Sequence, residues 1–445
     1  MVKDLTKGSI PKHLITFAIP IVLGNLFQLT YNAVDSIIVG KFAGENALAA
    51  VGTANPVMNI VILGITGICI GASVLMSQFF GAGDEEKLKK EVSTTLIFGG
   101  IFSLGMVILG LLFSKAVLSL MKTPDEILDI AGSYLRIIFL GMPFTYLYNA
   151  MSSAMRSVGD SKTPIKFLAV SSVLNILLDI LFVAVFCWSA VGAGVATVLS
   201  QAASSLLCVW YVYRKVPLLQ IRREELKMDK ELLKLTLQQG SITALQQSCQ
   251  PIGKLLIQGK INTLGVSAMA AFNAVNRVDD FAFTPEQSIS HAMMTFIAQN
   301  RGAKQKDRVK KGFRDGLMVE FCYWVIICII ILMFRRPIMN LFSAGEDSGM
   351  MELGVSYLGL MAFFYLLPAF TNGIQGFFRG MGNMKITLIS TIIQISVRVV
   401  FVYILVPAQG ITGVAFASLI GWVCMLAAEV PYYFSYMKKQ EKQFH

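Results

Sequence analysis

The sequence predicts an all-α integral membrane protein in which twelve transmembrane helices form two parallel six-helix lobes, related by a pseudo-twofold axis along the membrane normal. Three observations support this fold class. Hydrophobic residues make up 55% of the 445 residues and charged residues only 15%, whereas a soluble domain carries about 25% charged residues. The apolar residues form long segments, and the second half of the chain repeats motifs of the first.

Twelve segments are apolar and long enough to cross a bilayer, which requires about 20 residues each. They lie at residues 12–40, 52–79, 93–114, 130–153, 163–187, 190–212, 234–261, 268–299, 314–334, 350–374, 384–406 and 410–434. We do not expect the first segment to be a cleaved signal peptide, because it is too long and contains Pro20 and Asp35.

The distribution of Lys and Arg predicts the orientation in the membrane. If the N-terminus is cytoplasmic, the cytoplasmic loops and both termini hold 28 of these residues and the opposite loops hold six. By the positive-inside rule, both termini are therefore cytoplasmic, as expected of a multi-pass protein of the plasma membrane. The net charge of +11 is spread over short loops without interleaved aromatic residues, which argues against a nucleic-acid partner.

An internal repeat organises the chain. The segment from Asn149 returns at Asn372, and in both copies an Arg is followed by a Gly and then a Lys at spacings of three. These residues are Arg156, Gly159 and Lys162, and Arg379, Gly382 and Lys385. Two parallel repeats around a central site are typical of transporters. We therefore predict an N-terminal lobe at 1–213, a cytoplasmic linker at 214–233 and a C-terminal lobe at 234–445. The charged stretch Lys215–Lys234 is expected to form a surface helix on the cytoplasmic face.

Residues that carry enzymatic or metal chemistry are sparse. The chain has three histidines and seven scattered cysteines, with no CxxC spacing, no HExxH sequence and no phosphate-binding glycine loop. The cysteines are typical of small packing residues within spans. We therefore predict that the protein is not an enzyme and needs no cofactor.

Polar side chains share helical faces within two of the predicted spans. Span 1 carries Gln28, Asn32 and Asp35 at spacings of four and three, which places them on one face of a helix. Span 5 carries Asn175 and Asp179 four residues apart. Because an ionisable group inside a bilayer is costly unless it is paired or faces water, these residues are candidates for function.

Together the two faces offer two carboxylates and an amide oxygen, to which Thr197 of span 6 would add a hydroxyl. Hard oxygen ligands of this kind suit Na⁺, and two close carboxylates can instead share a proton. Alternatively, Asp35 and Asp179 each pair with a buried cation or a backbone amide and only lock the bundle, and Thr197 only packs between helices.

Two of the prolines within predicted spans lie on helices that carry candidate acids. Pro20 removes a backbone hydrogen bond in the first span and predicts a kink in the helix that carries Asp35. Glu286 follows Pro285 in span 8. A helix broken at this point would direct Glu286 into a central cavity, and a salt bridge is the alternative.

Several motifs resemble one family over essentially the whole chain. They are PIVLGNLFQLTYNAVDSIIVGKFAG from Pro20, RSVGDSKTP from Arg156 and RGMGNMK from Arg379. They resemble the multidrug and toxic compound extrusion (MATE) family, and within it the bacterial and archaeal branch typified by DNA-damage-inducible protein F. The resemblance implies a monomeric antiporter that expels drugs by alternating access as Na⁺ or H⁺ enters.

The resemblance also implies roles for individual residues. The cation-binding positions of the branch correspond to Asp35, Asn175, Asp179 and Thr197, and its kinked first helix corresponds to Pro20. Polar residues lining the substrate cavity would be Gln28, Tyr31, Asn32 and Asn149, with Glu286 in the second lobe. The expected partners are amphipathic, mostly cationic small molecules and membrane lipid. A flippase for lipid-linked precursors is the alternative, which Lys254 and Arg398 keep open.

Overall fold

The computed structural model describes residues 2–342 and 348–443, and all regular structure within these ranges is helical. The α-helices are α1 (Ile10–Ile38), α2 (Glu45–Ala82), α3 (Glu85–Leu120), α4 (Asp125–Leu140), α5 (Met142–Ser157), α6 (Lys162–Asp179), α7 (Ser189–Lys215), α8 (Lys230–Ile261), α9 (Val266–Gly302), α10 (Lys306–Asn340), α11 (Ser348–Phe364), α12 (Leu366–Gly380), α13 (Met384–Gln409) and α14 (Thr412–Gln443). Two π-helical turns, Val39–Ala43 and Ile180–Val185, directly follow α1 and α6.

These helices account for the twelve predicted spans. Eight of the described helices are each long and apolar enough to cross a membrane. Two further spans are bent pairs, α4 with α5 at 44° and α11 with α12 at 42°. The bends fall at corresponding points of the two repeats. The remaining two spans are α8 and α9, whose lengths of 32 and 37 residues suffice but whose sequences are more polar.

The described chain forms two compact units. The first contains residues up to 7, residues 19–244 and residues 299–304, and the second contains 8–18, 245–298 and the chain from 305 onward. The boundary between Ala18 and Ile19 lies inside α1, one residue before Pro20, and α1 continues through this proline as a single helix. The predicted kink and the predicted lobe boundaries both stay predictions.

Packing within each unit follows the logic of a membrane interior. Large apolar side chains face outward, for example Leu112 at 68% and Leu255 at 73% exposure. Because lipid is as apolar as leucine, such side chains gain little by turning inward, and helices associate instead through close packing of small residues and through hydrogen bonds. In the first unit, Gly67 and Gly71, one turn apart on α2, lie close to the backbone of α8 around Gly240.

The internal repeat is visible in the turns that follow α5 and α12. Gly159 and Gly382 both adopt positive φ, at 88° and 68°. In each turn the glycine N–H donates to the arginine carbonyl three residues earlier, Arg156 or Arg379. The next residue donates to a carbonyl five residues earlier in both copies. This is the helix-ending arrangement that requires a left-handed residue, so glycine recurs at the same place.

A second pair of repeat-equivalent segments contacts one another within the first unit. A Cβ added at Gly81 would lie 1.9 Å from the carbonyl oxygen of Gln299. A Cβ added at Gly302 would lie 1.9 Å from the carbonyl oxygen of Gln78. Gly302 and Gln299 occupy the positions of Gly81 and Gln78 in the second repeat. The contact is therefore reciprocal, and both glycines are needed to let the two backbones approach.

Gly83 and Lys304, which lie just after the two contacting segments, allow a prediction about stability. Gly83 and Lys304 are repeat equivalents with left-handed φ of 71° and 56°, and a Cβ at Gly83 would meet no atom within 4 Å. Because only the backbone conformation is at stake, we expect Gly83→Ala to lower the free energy of unfolding by about 1 kcal/mol. Lys304→Gly should raise it by less than about 1 kcal/mol, since glycine also gains freedom when unfolded. Thermal unfolding of the detergent-purified variants measures both. Changes of the same sign in the two variants would contradict this expectation.

The prediction of a surface helix in the linker is wrong. Between α7 and α8 the chain makes two 3₁₀ turns, Pro217–Leu219 and Arg223–Glu225. The linker lies against α3, where the Ser93 hydroxyl donates to the carbonyl of Lys227 at 3.0 Å and the Thr94 hydroxyl accepts from the N–H of Asp229 at 3.0 Å. These side chains capture backbone groups that a helix would have satisfied internally.

A further contact holds the linker to α3 at the polar end of the helix. The Lys89 ammonium lies 3.3 Å from the Glu225 carboxylate. A hydrogen bond from the N–H of Arg222, helped by Lys89, holds the pKa of Glu225 below its ordinary value. The linker is thus attached through several contacts along its length.

Candidate functional site

The candidate site begins where α1 and α6 end. Each helix passes directly into a π-helical turn, and the two turns pack against each other in the first unit. Val39 and Val183, one from each turn, are buried in an apolar cluster of the first unit. π-Helical turns are rare and are frequently found at functional sites. Here they fix the ends of the two helices that carry Asp35 and Asp179.

The two aspartates lie close enough to interact electrostatically. Asp179 is 0% exposed, and neither of its carboxylate oxygens has a hydrogen-bond partner among the described residues. One oxygen of Asp35 is likewise unpartnered in the described chain. Because an ionised carboxylate only accepts hydrogen bonds, the two groups cannot satisfy each other. They suit a ligand that supplies positive charge.

Asn175 extends this group by one helical turn along α6. It is 3% exposed, and within the described chain neither its amide oxygen nor its amide nitrogen has a partner. Buried polar atoms are almost always hydrogen-bonded, so a cluster of exceptions needs an explanation. The amide oxygen and the two carboxylates form an oxygen-rich donor set that fits Na⁺ or a shared proton.

Two tyrosines complete the surroundings of the aspartates. Tyr31 of α1 lies beside Asp35 and Gln28. Tyr134 of α4 is 3% exposed and faces both Asp35 and Asp179. Sequence reasoning missed Tyr134, because it stands alone in an apolar segment with no polar residue at helical spacing. The only available signal was the tyrosine itself, whose buried hydroxyl requires a polar environment.

The other residues predicted for this site are less closely joined to it. Thr197 is half-buried on α7, and its hydroxyl takes part in none of the described hydrogen bonds. Gln28 and Asn32 are exposed on α1. Asn149 is half-buried on α5 and donates to the carbonyl of Thr145 in its own helix at 2.8 Å.

A polar contact near Asn149 was not predicted. The hydroxyl of Thr145 on α5 donates to the side-chain oxygen of Gln201 on α7. Sequence spacing relates residues within a helix and gives no indication of such pairs between helices. The contact places an amide group on α7 one turn from Thr197, which lies four residues earlier.

The prediction for Glu286 needs correction. Pro285 lies inside α9, which runs unbroken from Val266 to Gly302, so the helix is not broken there. Glu286 is 0% exposed, and Asn372 of α12 donates to its carboxylate at 3.4 Å. The carboxyl group is therefore enclosed between helices of the second unit and does not line an open cavity in this structure.

Known proteins resemble this chain both in its internal repeat and in its fold. The sequence model of the MatE family matches residues 20–181 and again residues 243–404. The probable multidrug resistance protein YoeA of Bacillus subtilis is 33% identical over 350 residues, which cover 77% of this chain and 76% of that protein. The multidrug export protein MepA of Staphylococcus saprophyticus is 25% identical, with 95% and 93% of the two chains covered.

A solved structure is similar along nearly the whole chain. It is described as the outward-facing conformation of a multidrug resistance MATE family transporter of the MOP superfamily. The TM-score is 0.90 at 25% sequence identity, and the match covers 99% of this chain and 98% of that one. The comparisons confirm the predicted fold class, an all-α membrane protein with twelve transmembrane helices in two lobes.

Proposed function

Because the chain belongs to the MATE family of membrane transporters, we propose that it exports amphipathic, mostly cationic compounds in exchange for Na⁺ or H⁺ by alternating access. The observation that carries this proposal is the pair Asp35 and Asp179. Two carboxylates without a protein donor cannot both stay ionised at close range in a membrane interior unless a cation compensates them. A site of this kind binds and releases a coupling ion.

The donor set supports either ion. Na⁺ would take oxygens from Asp35, Asp179 and Asn175, to which Thr197 would add its hydroxyl after a small movement of α7. A proton would be shared between the two carboxyl groups, which then hydrogen-bond directly. In both cases, binding removes the repulsion between α1 and α6 at their π-helical turns. Release restores that repulsion, and so favours a different arrangement of the two helices.

Pro20 is a point at which α1 can bend. It has no N–H, so the carbonyl of Thr16 lacks its helical partner and the helix is weaker at this turn. Pro20 is four turns from Asp35 on the same helix. We propose that the charge state of Asp35 changes the bend of α1 at Pro20, which reshapes the substrate cavity.

The substrate class follows from the residues near the pair and from the relatives. Tyr31, Gln28 and Asn32 share α1 with Asp35 and offer an aromatic ring and two amide groups, to which Asn149 of α5 would add a third amide. Such a surface suits a lipophilic cation, because aromatic faces and carboxylates both attract positive charge. The names of YoeA and MepA refer to multidrug resistance and multidrug export, which supports the same class here.

The setting of the transporter is part of the proposal. We place the protein in the plasma membrane as a monomer with both termini cytoplasmic, and its lobes at 1–213 and 234–445. The flippase alternative is weaker, because it needs free basic residues to hold pyrophosphate. Lys254 lies 3.2 Å from the carboxylate of Asp280, and Arg398 is only 9% exposed.

Efflux of ethidium from proteoliposomes tests the function. A Na⁺ gradient and a pH gradient are imposed separately on wild type, Asp35→Asn and the control Asp129→Asn. Asp129 forms an exposed ion pair with Lys115, and such pairs contribute little. We expect one gradient to accelerate efflux by about tenfold or more, and Asp35→Asn alone to lose that acceleration. Efflux that ignores both gradients, or that survives Asp35→Asn, would contradict the proposal.

A further inference from the structure

The polar end of α14 carries aromatic and basic side chains on one face. Tyr432, Tyr436 and Lys439 follow one another at spacings of four and three, so they share a face of the helix. The rings of the two tyrosines are stacked, with their centroids 6.1 Å apart. Phe434 lies on another face and is 67% exposed. Because aromatic side chains collect where a membrane helix leaves the hydrocarbon, this turn lies at the boundary between membrane and water.

Two neighbouring elements of the second unit extend this face. Phe378 of α12 contacts both tyrosine rings, at centroid distances of 5.4 and 5.9 Å. In the turn between α12 and α13, the amide of Asn383 donates to the Tyr432 hydroxyl at 2.9 Å. Lys385 follows two residues later, in the first turn of α13, and is exposed. The α14 surface, as we define it, consists of Tyr432, Tyr436, Lys439, Asn383 and Lys385.

The two lysines of the α14 surface are not neutralised by ion pairs. Both are exposed, and among the described residues neither takes part in an ion pair. Lysines near the start of α3 in the first unit differ, because Lys87 lies 3.2 Å from the carboxylate of Asp84 and Lys90 lies 2.7 Å from that of Glu86. The α14 surface therefore keeps its positive charge available for an anion.

The start of α13 also favours an anion. Asn383 stands at the repeat position of Asp160. In the first unit, Asp160 closes the start of α6, since it accepts from the N–H of Thr163 at 3.1 Å and from its hydroxyl at 2.7 Å. Asn383 gives its amide to Tyr432 and, within the described chain, forms no such cap. Uncapped N–H groups at a helix start attract negative charge, and they add to that of Lys385.

The corresponding face of the first unit is covered by the linker. Tyr213 and Val216 stand at the repeat positions of Tyr436 and Lys439. The Tyr213 hydroxyl donates to the carbonyl of Ile221 in the linker at 3.0 Å, and Val216 is 1% exposed. In the second unit the same face stays open, with Tyr432 38% exposed. A face that the chain itself covers in one repeat is thus open to a partner in the other.

We propose that the α14 surface binds the headgroup of an anionic phospholipid. Lys385 and Lys439 donate to the phosphate oxygens, and the ring of Tyr432 packs against the glycerol backbone. The surface lies at the membrane boundary beside the exposed Phe434, so a lipid can keep its acyl chains in the bilayer while its headgroup binds. A zwitterionic headgroup carries its own cation and gains less from the lysines. The proposal goes beyond transport and does not depend on the coupling ion.

Tryptophan quenching by brominated lipids tests the proposal at the site itself. Phe434→Trp places a fluorophore beside the α14 surface, and the signal of the native tryptophans is measured without this substitution and subtracted. The protein is reconstituted in mixtures of phosphatidylglycerol and phosphatidylcholine, with one or the other lipid brominated. We expect phosphatidylglycerol to be preferred about fivefold or more, since each lysine near a membrane surface contributes about that factor.

Removal of the two lysines supplies the decisive comparison. In the Phe434→Trp background, Lys385→Gln with Lys439→Gln should abolish the preference for phosphatidylglycerol, whereas both substituted by Arg should keep it. The matched control is Lys87→Gln with Lys90→Gln, which removes two paired lysines of the first unit and should leave the preference unchanged. All of these lysines except Lys90 and Lys87 belong to the α14 surface, and all are exposed, so the variants should fold.

Three outcomes would overturn the proposal. The first is equal quenching by the two brominated lipids in the Phe434→Trp protein. The second is a preference that survives the loss of Lys385 and Lys439, or that falls equally in the control variant. The third is loss of the preference when inorganic phosphate is added at constant ionic strength, which would mean that the surface binds free phosphate and not a lipid headgroup.

Discussion

Asp179→Asn is expected to abolish gradient-driven efflux while leaving the protein folded. The side chain is fully buried, and both carboxylate oxygens lack a partner in the described chain. Asparagine keeps the shape, removes the charge that the coupling ion compensates and cannot be protonated. We therefore expect the acceleration by the driving gradient to fall by about tenfold or more. Ethidium efflux from proteoliposomes measures the loss.

Two further measurements separate coupling from folding. Because Asp179→Asn removes an unpaired charge from the interior, the midpoint of thermal unfolding should equal or exceed that of wild type. The double variant with Asp35→Asn should be no worse in efflux than either single variant, since both act on one site. Retained efflux would contradict the assignment, and additive losses would mean that the two aspartates act separately.

Gly81→Ala is expected to have the largest effect on stability. The added Cβ would lie 1.9 Å from the Gln299 carbonyl oxygen and 2.6 Å from its carbonyl carbon. Both are backbone atoms, so relief requires the ends of α2 and α9 to move apart. Overpacking usually costs about 1–3 kcal/mol, and we expect a loss at or above the upper end of that range. The yield of monodisperse protein and its thermal midpoint measure it.

The control for this prediction is the same substitution elsewhere in a helix. Gly105 lies within α3, and a Cβ there would meet no atom within 4 Å. Gly105→Ala should leave stability unchanged or raise it by up to about 1 kcal/mol, because alanine favours the helix. Gly302→Ala should resemble Gly81→Ala, since its Cβ would meet the Gln78 carbonyl at 1.9 Å. A mild effect at Gly81 would mean that the helix ends are not in close contact.

Much of the fold could be predicted because each membrane span depends on the length and apolar content of its own segment. Length and apolar content place each predicted span on one helix or bent helix pair, although several helices run six to nine residues beyond the predicted ends. This holds for α8 and α9 too, whose polar residues lower their hydropathy. The linker could not be predicted in the same way. Its 3₁₀ turns depend on Ser93 and Thr94, which lie more than one hundred residues earlier and capture its backbone.

Part of the candidate site could also be predicted from single segments, and part could not. Asp35, Asn175 and Asp179 could be picked out because helical spacing and the cost of buried charge both act within one segment. Tyr134 could not, because its position beside the aspartates results from the packing of α4 on other helices. The prediction that Glu286 faces a central cavity assumes that Pro285 breaks α9. Proline is tolerated in membrane helices when neighbours satisfy the freed carbonyl, and here the helix continues.

The reciprocal contact of Gly81 and Gly302 bears on how such a chain could arise. A contact to which both sides supply the same residues can form between two copies of a half-length chain. Duplication and fusion of its gene would preserve that contact without any new mutation. The candidate site does not share this symmetry, because Val402 stands at the position of Asp179 in the second repeat. The two glycines thus mark where the halves of the chain remain interchangeable, and Asp179 marks where they do not.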